Sequence, residues 1–528
     1  MTRLTGTGTL VRLILRRDRV RLAVWTAAIP LLVLPTAASV KGLYPTQADL
    51  DEAAAVSKDN AAAIAFNGPV QALDTLGGQI AFQVGSFGLV VVALMSIFTI
   101  ARQTRAEEET GRTELILAMP VGPYAPAAAA MVVVAGMNAL VGGAVTLGLI
   151  GMDLPTTGSV IFGATFAVLG LVFAAIALVA AQVSENTRVV SGASGAVLAV
   201  AFVVRAVGDI GGGGFSWFSP IGWVQKTRPF AGERWWPLLV AVAFTIAVIG
   251  TAVALAGRRD VGAGLVQPRP GPPSAAPGLG HPLGLALRLQ RGSLIGWTAG
   301  VFLTGVAYGW VADDVEDFIG DNEALRDVIA RAGVADLTDS YLARSLLIVA
   351  LIGTGYAVQS TLRLRGEETG LRAEPVLATP VSRGRWAAGH LTVAACGAVT
   401  VLAAAGLGIG LVYAATTHDA SQVPRLLGAS LAYAPAVWLF IGLGTALFGL
   451  LPRATNIAWG ALALCLVIGL LGEVLDLPGW FSGLSPFEYV PQVPAESIDI
   501  VPLAGLTALS AALTATGLAA LRRRDVGY

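Results

Sequence analysis

The chain has 528 residues, of which 55% are hydrophobic and 13% charged, and its mean hydropathy is +0.72. Soluble domains carry about 25% charged residues, so this composition excludes an ordinary soluble enzyme, a disordered chain and a nucleic-acid binder. The formal net charge is zero, and only the placement of charge along the chain is informative.

In chain order, the first feature is an amphipathic lead-in. Leu10, Val11, Leu13, Ile14 and Leu15 are interleaved with Arg12, Arg16 and Arg19, which share one helical stripe. Such a helix lies on a membrane surface and extends its arginines to the headgroups. The apolar run that follows is too long for a signal peptide and has no small-residue cleavage site, so it is expected to stay as a membrane helix. A bilayer core needs about 20 apolar residues per helix. Runs of that kind recur near 22–40, 78–101, 123–150, 157–182, 189–207 and 236–256, and again near 294–311, 342–362, 386–415, 424–450, 455–475 and 500–521. Continuous apolar length excludes the alternating strands of a membrane barrel. The predicted fold is an all-α membrane protein with twelve transmembrane helices.

Arginines set the orientation. Those at 3–21, 102–112, 188, 258–291, 363–385, 453 and 522–524 fall on one side if the N-terminus is cytoplasmic, and they are most of the 34 Lys+Arg. The other side collects the acids of two long loops, Asp49, Asp51, Glu52 and Asp59, then Asp313, Asp314, Glu316, Asp317 and Asp321. Both termini are therefore expected in the cytoplasm of a multi-pass protein of the cell membrane.

The chain also repeats itself at an offset of 260–272 residues. Trp25-Thr-Ala27 recurs as Trp297-Thr-Ala299. Arg105-Ala-Glu-Glu-Glu-Thr-Gly-Arg-Thr-Glu114 recurs as Arg365-Gly-Glu-Glu-Thr-Gly-Leu-Arg-Ala-Glu374. Leu117-Ala-Met-Pro-Val121 is matched by Leu377-Ala-Thr-Pro-Val381, Ser219-Pro220 by Ser485-Pro486, and Arg258-Arg-Asp-Val-Gly262 by Arg523-Arg-Asp-Val-Gly527. The order is the same in both halves. The reading is two tandem six-helix repeats, residues 1–265 and 283–528, each with an N-terminal amphipathic helix, joined by a Pro-rich cytoplasmic linker at 266–282. An even number of spans makes the repeats parallel.

Ion-coupled transport usually needs ionisable groups at depth, and Asp153, Arg205 and Asp209 lie only at or near span ends. No phosphate cradle surrounds Lys41, Lys58 or Lys226, and Gly211–Gly214 reads as a turn. The chain is therefore expected to have no ATPase site of its own. His281, His390 and His418 form no ligand spacing, Cys396 and Cys465 lie far apart, and no metal site is expected. The acids at 313–317 read as a solvated face rather than a catalytic or metal cluster. A repeated Glu-rich loop after the second span of each half is more than orientation requires, since that needs arginine alone. Arg105, Glu107, Glu108, Glu109, Arg112 and Glu114, with Arg365, Glu367, Glu368, Arg372 and Glu374, are candidates for charge-assisted contacts with a cytosolic partner.

Glu109-Thr-Gly-Arg-Thr-Glu-Leu-Ile-Leu-Ala-Met-Pro-Val121 resembles the coupling-helix segment of ABC exporter permeases of the second class, and Arg-Arg-Asp-Val resembles their C-terminal signature. The fused form is similar to exporter permeases of polyketide antibiotics, the tetronasin type. The second copy departs from the pattern, with Leu371 after Gly370 and Pro375 where the first has Leu115. The resemblance implies two copies of a separate ABC ATPase docked under the two segments, with ATP and Mg on that partner and no cofactor in this chain. It also implies re-entrant helices at Ser219-Pro220 and Ser485-Pro486 that gate the outer side. Residues 208–235 and 476–499 are aromatic-rich and too interrupted by Gly and Pro to span. A lipophilic or amphiphilic cargo, such as an antibiotic or drug, would need an apolar cavity, with Phe82, Phe87, Phe98, Phe202, Tyr356 and Gln359 as candidate liners. The rival readings are a gradient-driven transporter and a lipid exporter.

Overall fold

The computed structural model describes residues 2–58, 61–266, 271–321, 337–471 and 478–524. Every regular element among them is helical. The chain divides into two compact units, Met1–Pro270 and Gly271–Tyr528.

The first unit opens with α1 (Thr7–Arg17) and α2 (Arg19–Leu43), separated at Asp18. There follow α3 (Gln47–Lys58), α4 (Ala61–Asn67), α5 (Leu76–Gln103), α6 (Arg105–Glu109), α7 (Arg112–Leu117), α8 (Ala125–Ile150), α9 (Thr156–Val183), α10 (Thr187–Ile210), α11 (Pro220–Gln225) and α12 (Trp236–Ala256). α9 is the hub, packed by α5, α8, α10 and α12. Its contact with α8 depends on two glycines. A Cβ on Gly142 would lie 2.6 Å from the Gly163 carbonyl oxygen, and one on Gly163 would lie 2.3 Å from that of Gly142. Lipid gives helices no hydrophobic reason to associate, so close backbone approach supplies the packing.

The second unit has α13 (Pro282–Asp321), α14 (Leu337–Thr369), α15 (Ala373–Leu377), α16 (Arg383–Thr416), α17 (Gln422–Leu431), α18 (Ala434–Leu450), α19 (Ile457–Leu471), α20 (Gly479–Ser482) and α21 (Ile500–Arg523). α16 packs on α13 and α14, and α18 packs on α21. The same device recurs in the second of these contacts, where a Cβ on Gly449 would lie 2.2 Å from the Gly517 carbonyl oxygen.

Ten helical segments among the described residues are long and apolar enough to cross a bilayer: Arg19–Leu43, Leu76–Glu109, Ala125–Ile150, Thr156–Val183, Thr187–Ile210, Trp236–Ala256, Thr338–Thr369, Arg383–Thr416, Gln422–Leu450 and Ile500–Arg523. Two of the twelve expected spans are not in this set. The stretch 294–311 lies inside α13, a helix of 40 residues. The stretch 455–475 is represented by α19, whose 15 residues reach about 22 Å, short of a core of about 30 Å; residues 472–477 lie outside the described ones. The acidic stretches also differ from the loops expected. Asp49, Asp51 and Glu52 are on α3, and the backbone of α13 stays helical through Asp313–Asp321. The side chains of residues 313–321 lie outside the described ones, as do those of Asp59 and the whole of 525–528.

Candidate functional site

The repeated loop begins where α5 ends. Thr104 breaks the helix, α6 adds one and a half turns, and Gly111 takes a left-handed conformation at φ 71° before α7 starts at Arg112. The second copy makes the same turn at the matching position, 260 residues on, with Leu371 at φ 56°. A side chain there costs about 1–2 kcal/mol that glycine avoids. Gly370 therefore does not take the role of Gly111; the glycine has moved one place back and the turn has not. Pro375 falls in the first turn of α15, where the missing N–H has no helical acceptor to lose. α15 has 5 residues and α7 has 6.

Behind each turn two glutamates, buried or nearly so, are held in ion pairs. Glu108 accepts from Arg105 Nη1 at 2.6 Å and from both terminal nitrogens of Arg259 at 2.9 Å. Arg105, with none of its side chain exposed, also donates from Nε to the Ala181 carbonyl at 2.6 Å and from Nη2 to that of Ala263 at 2.9 Å. Glu107 accepts from Arg17 at 2.9 Å and from Arg112 at 3.5 Å. In the second unit Glu368 pairs with Arg365 at 3.1 Å and Arg524 at 2.8 Å, and Glu367 with Arg363 at 3.2 Å and Arg372 at 2.9 Å. The basic exits Arg259 and Arg524 thus tie the last helix of each unit to its loop. Sequence reading noted the repeated Arg-Arg-Asp-Val but not its partner. The sequence does carry the pairing, since Glu108 and Arg259 recur together as Glu368 and Arg524.

These four glutamates are thus turned inward, because two guanidinia within the same unit claim each of them. Glu109 also bonds inside, accepting from the backbone N–H of Thr187 at the start of α10, where helix dipole and carboxylate agree. What the loops leave outside is Glu114 with Leu115 and Met119, these two apolar side chains 74% and 64% exposed, and in the second copy Glu374, Pro375 and Thr379. Arg112 and Arg372 are both exposed while bonded to Glu107 and Glu367. The pattern of buried and exposed positions is the same over 112–120 and 372–380.

The remaining candidates are placed as follows. Arg12, Arg16 and Arg19 are exposed, but the stripe is interrupted, since Arg19 belongs to α2. Leu10 and Ile14 bury the other face of α1, which packs on α8. Asp18 at the break accepts from Arg102 at 2.9 Å and Gln103 at 2.6 Å, and Arg17 adds a contact at 3.3 Å. Burial pushes the Asp18 carboxyl up, but the hydrogen bonds from Arg102 and Gln103 and the two positive charges outweigh it and hold it at about 2. Ser219 and Ser485 are buried N-caps: Ser219 Oγ accepts from Ile221 N–H at 3.2 Å and donates to the Ala201 carbonyl at 2.6 Å, and Ser485 Oγ accepts from Phe487 N–H at 3.4 Å. Pro220 and Pro486 follow as first helical residues.

Of the proposed cavity liners, Phe82 and Phe98 of the first unit border separate cavities. Phe82 lines a small one with Phe162 and Gln225. Phe98 lines another, against Trp25. Phe87 is exposed, and Phe202 lies under the Arg205 guanidinium at 4.4 Å. Tyr356 is fully buried and donates to the Val393 carbonyl at 3.2 Å, while Gln359 accepts from Trp297 Nε1 at 2.5 Å. The aromatic candidates mark apolar surface on three helices, α5, α10 and α14, and helix rotation, which the spacing leaves open, decides what each one touches. No group of His, Cys, Asp and Glu among the described residues could hold a metal.

The ten long apolar helices among the described residues, with ion pairs at the arginine-rich ends within each unit, mark a polytopic integral membrane protein. The chain belongs to the multidrug efflux permease family. It is 42% identical over 528 residues to the multidrug efflux system permease protein Rv1217c of Mycobacterium tuberculosis, an alignment that covers 99% of this chain and 95% of that relative. The family pattern described as the C-terminal domain of the multidrug efflux system permease Rv1217c matches residues 279–522.

Proposed function

We propose that this chain is the membrane subunit of an ATP-driven ABC exporter of the second class, in the fused form similar to the tetronasin-type permeases. It moves a lipophilic or amphiphilic drug out of the cell. Twelve spans form two parallel repeats with both termini in the cytoplasm, and two copies of a separate ATPase, carrying ATP and Mg, dock beneath α7 and α15.

One observation carries this reading. Both units present the same short helix with the same exposed face, while the flanking glutamates bind it to arginines at the foot of the bundle. Solvated loops have no need of such anchoring. A segment that must transmit force does, because a push on α7 reaches α12 through Glu108 and Arg259 and reaches α1 through Glu107 and Arg17. The outer Ser-Pro caps fit the proposed gate as rigid helix starts. The cargo enters between apolar helices, and the exposed aromatics Phe87 and Phe98 are available to it.

The test is purification of the tagged chain from its native membrane, followed by transport in inverted vesicles. Two ATPase subunits per chain and drug uptake that requires ATP are expected. Uptake that persists without ATP and collapses with the proton gradient would refute the proposal. ATP-dependent movement of phospholipid but of no drug would establish the lipid-exporter alternative instead.

A further inference from the structure

At the arginine-rich end of the first unit, a cavity of 140 Å³ lies between α2 and α5. That is several times the share of one water molecule, about 30 Å³. Asp18, Arg21, Trp25, Phe98, Arg102 and Gln103 line it. Its floor is aromatic, with the Trp25 and Phe98 ring centres 6.4 Å apart. Its rim is polar and rich in donors. Arg102 binds Asp18 through Nη2, but its Nε is buried without a partner. Arg21 is exposed, and no acceptor in the protein bonds its guanidinium or the Trp25 indole N–H among the described residues. Asp18 is the one anion in the lining, and its oxygens are already taken by Arg102, Gln103 and Arg17. Two guanidinia against one spent carboxylate leave a positive charge unmatched.

The matching segment of the second unit is closed. Trp297, the counterpart of Trp25, donates its indole N–H to Gln359 Oε1 at 2.5 Å, and Ser293, at the position of Arg21, donates to the same oxygen at 3.2 Å. Gln290, at the position of Asp18, bonds Ser360 and His390. The Trp297 indole donor is satisfied internally, Leu362 stands at the position of Arg102, and Arg363, at the position of Gln103, is paired with Glu367 at 3.2 Å.

The geometry points to a binding site in the first unit for the anionic head of an amphiphile, with the head on Arg21, Arg102 Nε and Trp25 Nε1 and its apolar chain along Trp25 and Phe98. The chemistry is that of a phosphate or carboxylate joined to hydrocarbon. An aromatic floor under an arginine rim suits both halves of such a molecule at the level where lipid headgroups lie, and in the second unit the Trp297 indole donor is already bonded and the one arginine at the matching place is paired with Glu367.

The full chain in nanodiscs of mixed phosphatidylglycerol and phosphatidylcholine, released and weighed by native mass spectrometry, tests this. One retained phosphatidylglycerol is expected in clear excess over phosphatidylcholine. Arg21→Gln should lower its retention about fivefold and Trp25→Phe, which keeps the ring and removes the donor, about tenfold. Trp297→Phe in the second unit should leave it unchanged. Inorganic phosphate added to the detergent-purified chain separates the sources. A rise in melting temperature that Arg21→Gln abolishes, without lipid selectivity, assigns the site to a free anion. Equal retention of the two lipids together with no effect of phosphate overturns the site, as does unaltered retention in both first-unit variants.

Discussion

The foot of the first unit and the foot of the second are written in matching sequence and closed by different chemistry. At Asp18 the chain breaks into α1 and α2, and a carboxylate gathers Arg17, Arg102 and Gln103. At Gln290 the helix α13 runs on without a break, and a neutral amide bonds Ser360 and His390, the latter at 3.1 Å. Asp disfavours helix interiors and Gln accepts them, so one substitution changes both the backbone and the charge. The arginines that pair with Glu108 and Glu368 differ in exposure. Arg105 is fully enclosed and Arg259 has 10% of its side chain exposed, whereas Arg365 and Arg524 keep 27% and 19%. Duplication preserved the pairs but not the dielectric around them.

The largest expected effect is at the glutamates. Glu108→Ala leaves two enclosed guanidinia without a counterion and should cost about 3–5 kcal/mol of stability. Glu368→Ala leaves partners that water can reach and should cost about 1–3 kcal/mol. Denaturant titration of the detergent-purified variants reads the difference, and equal losses would erase the distinction between the two feet.

Acid should separate them next. The Asp18 carboxyl titrates at about 2 in the folded chain against 3.8 ordinarily, so its contribution is complete above pH 3.8 and vanishes as pH falls through 2. A depression of that size is worth about 2 kcal/mol. Asp18→Asn should abolish this part of the acid sensitivity measured by unfolding at pH 5 and pH 2.5. An unchanged pH profile would show that Asp18 is not held as its contacts require.

A smaller and opposite pair of effects is expected at the turns. Leu371→Gly relieves a left-handed side chain and should stabilise the second unit by about 1 kcal/mol. Gly111→Leu should destabilise the first by a similar amount, and no neighbouring atom lies within 4 Å of the Cβ it adds, so strain alone would be measured. Matched signs at the two sites would mean that the turns are not equivalent.

These sites also show what can be read from residues in order. The spans, the arginine-rich ends and the repeated loop are visible because apolar length and charge placement are local properties. Burial of Glu107 and Glu108 is not local, since it depends on Arg17 and Arg259 arriving from the two ends of the unit. What Phe82, Phe98 and Phe202 touch is not local either, since it depends on how their helices are rotated, and a hydropathy profile carries no trace of rotation. The turn at Leu371 is a further case: the shift of glycine to 370 is visible in the sequence, but that the backbone keeps the left-handed turn at 371 is not.

The smallest effect on stability is expected on the exposed face of α7, and it is the most telling for function. Glu114→Ala and Leu115→Ala touch no buried partner and should change stability by no more than about 0.5 kcal/mol. If α7 transmits force from an ATPase, the same two substitutions should reduce ATP-driven drug uptake severalfold and weaken retention of the ATPase. Glu374→Ala should act in the same direction but less, because α15 is a residue shorter and offers Pro375 where α7 offers Leu115. Comparing the three variants at equal expression distinguishes a contact surface from a foundation. Loss of transport with stability intact places the contact on Glu114 and Leu115, whereas loss confined to the Glu107 and Glu108 variants would mean that the loop only holds the bundle together.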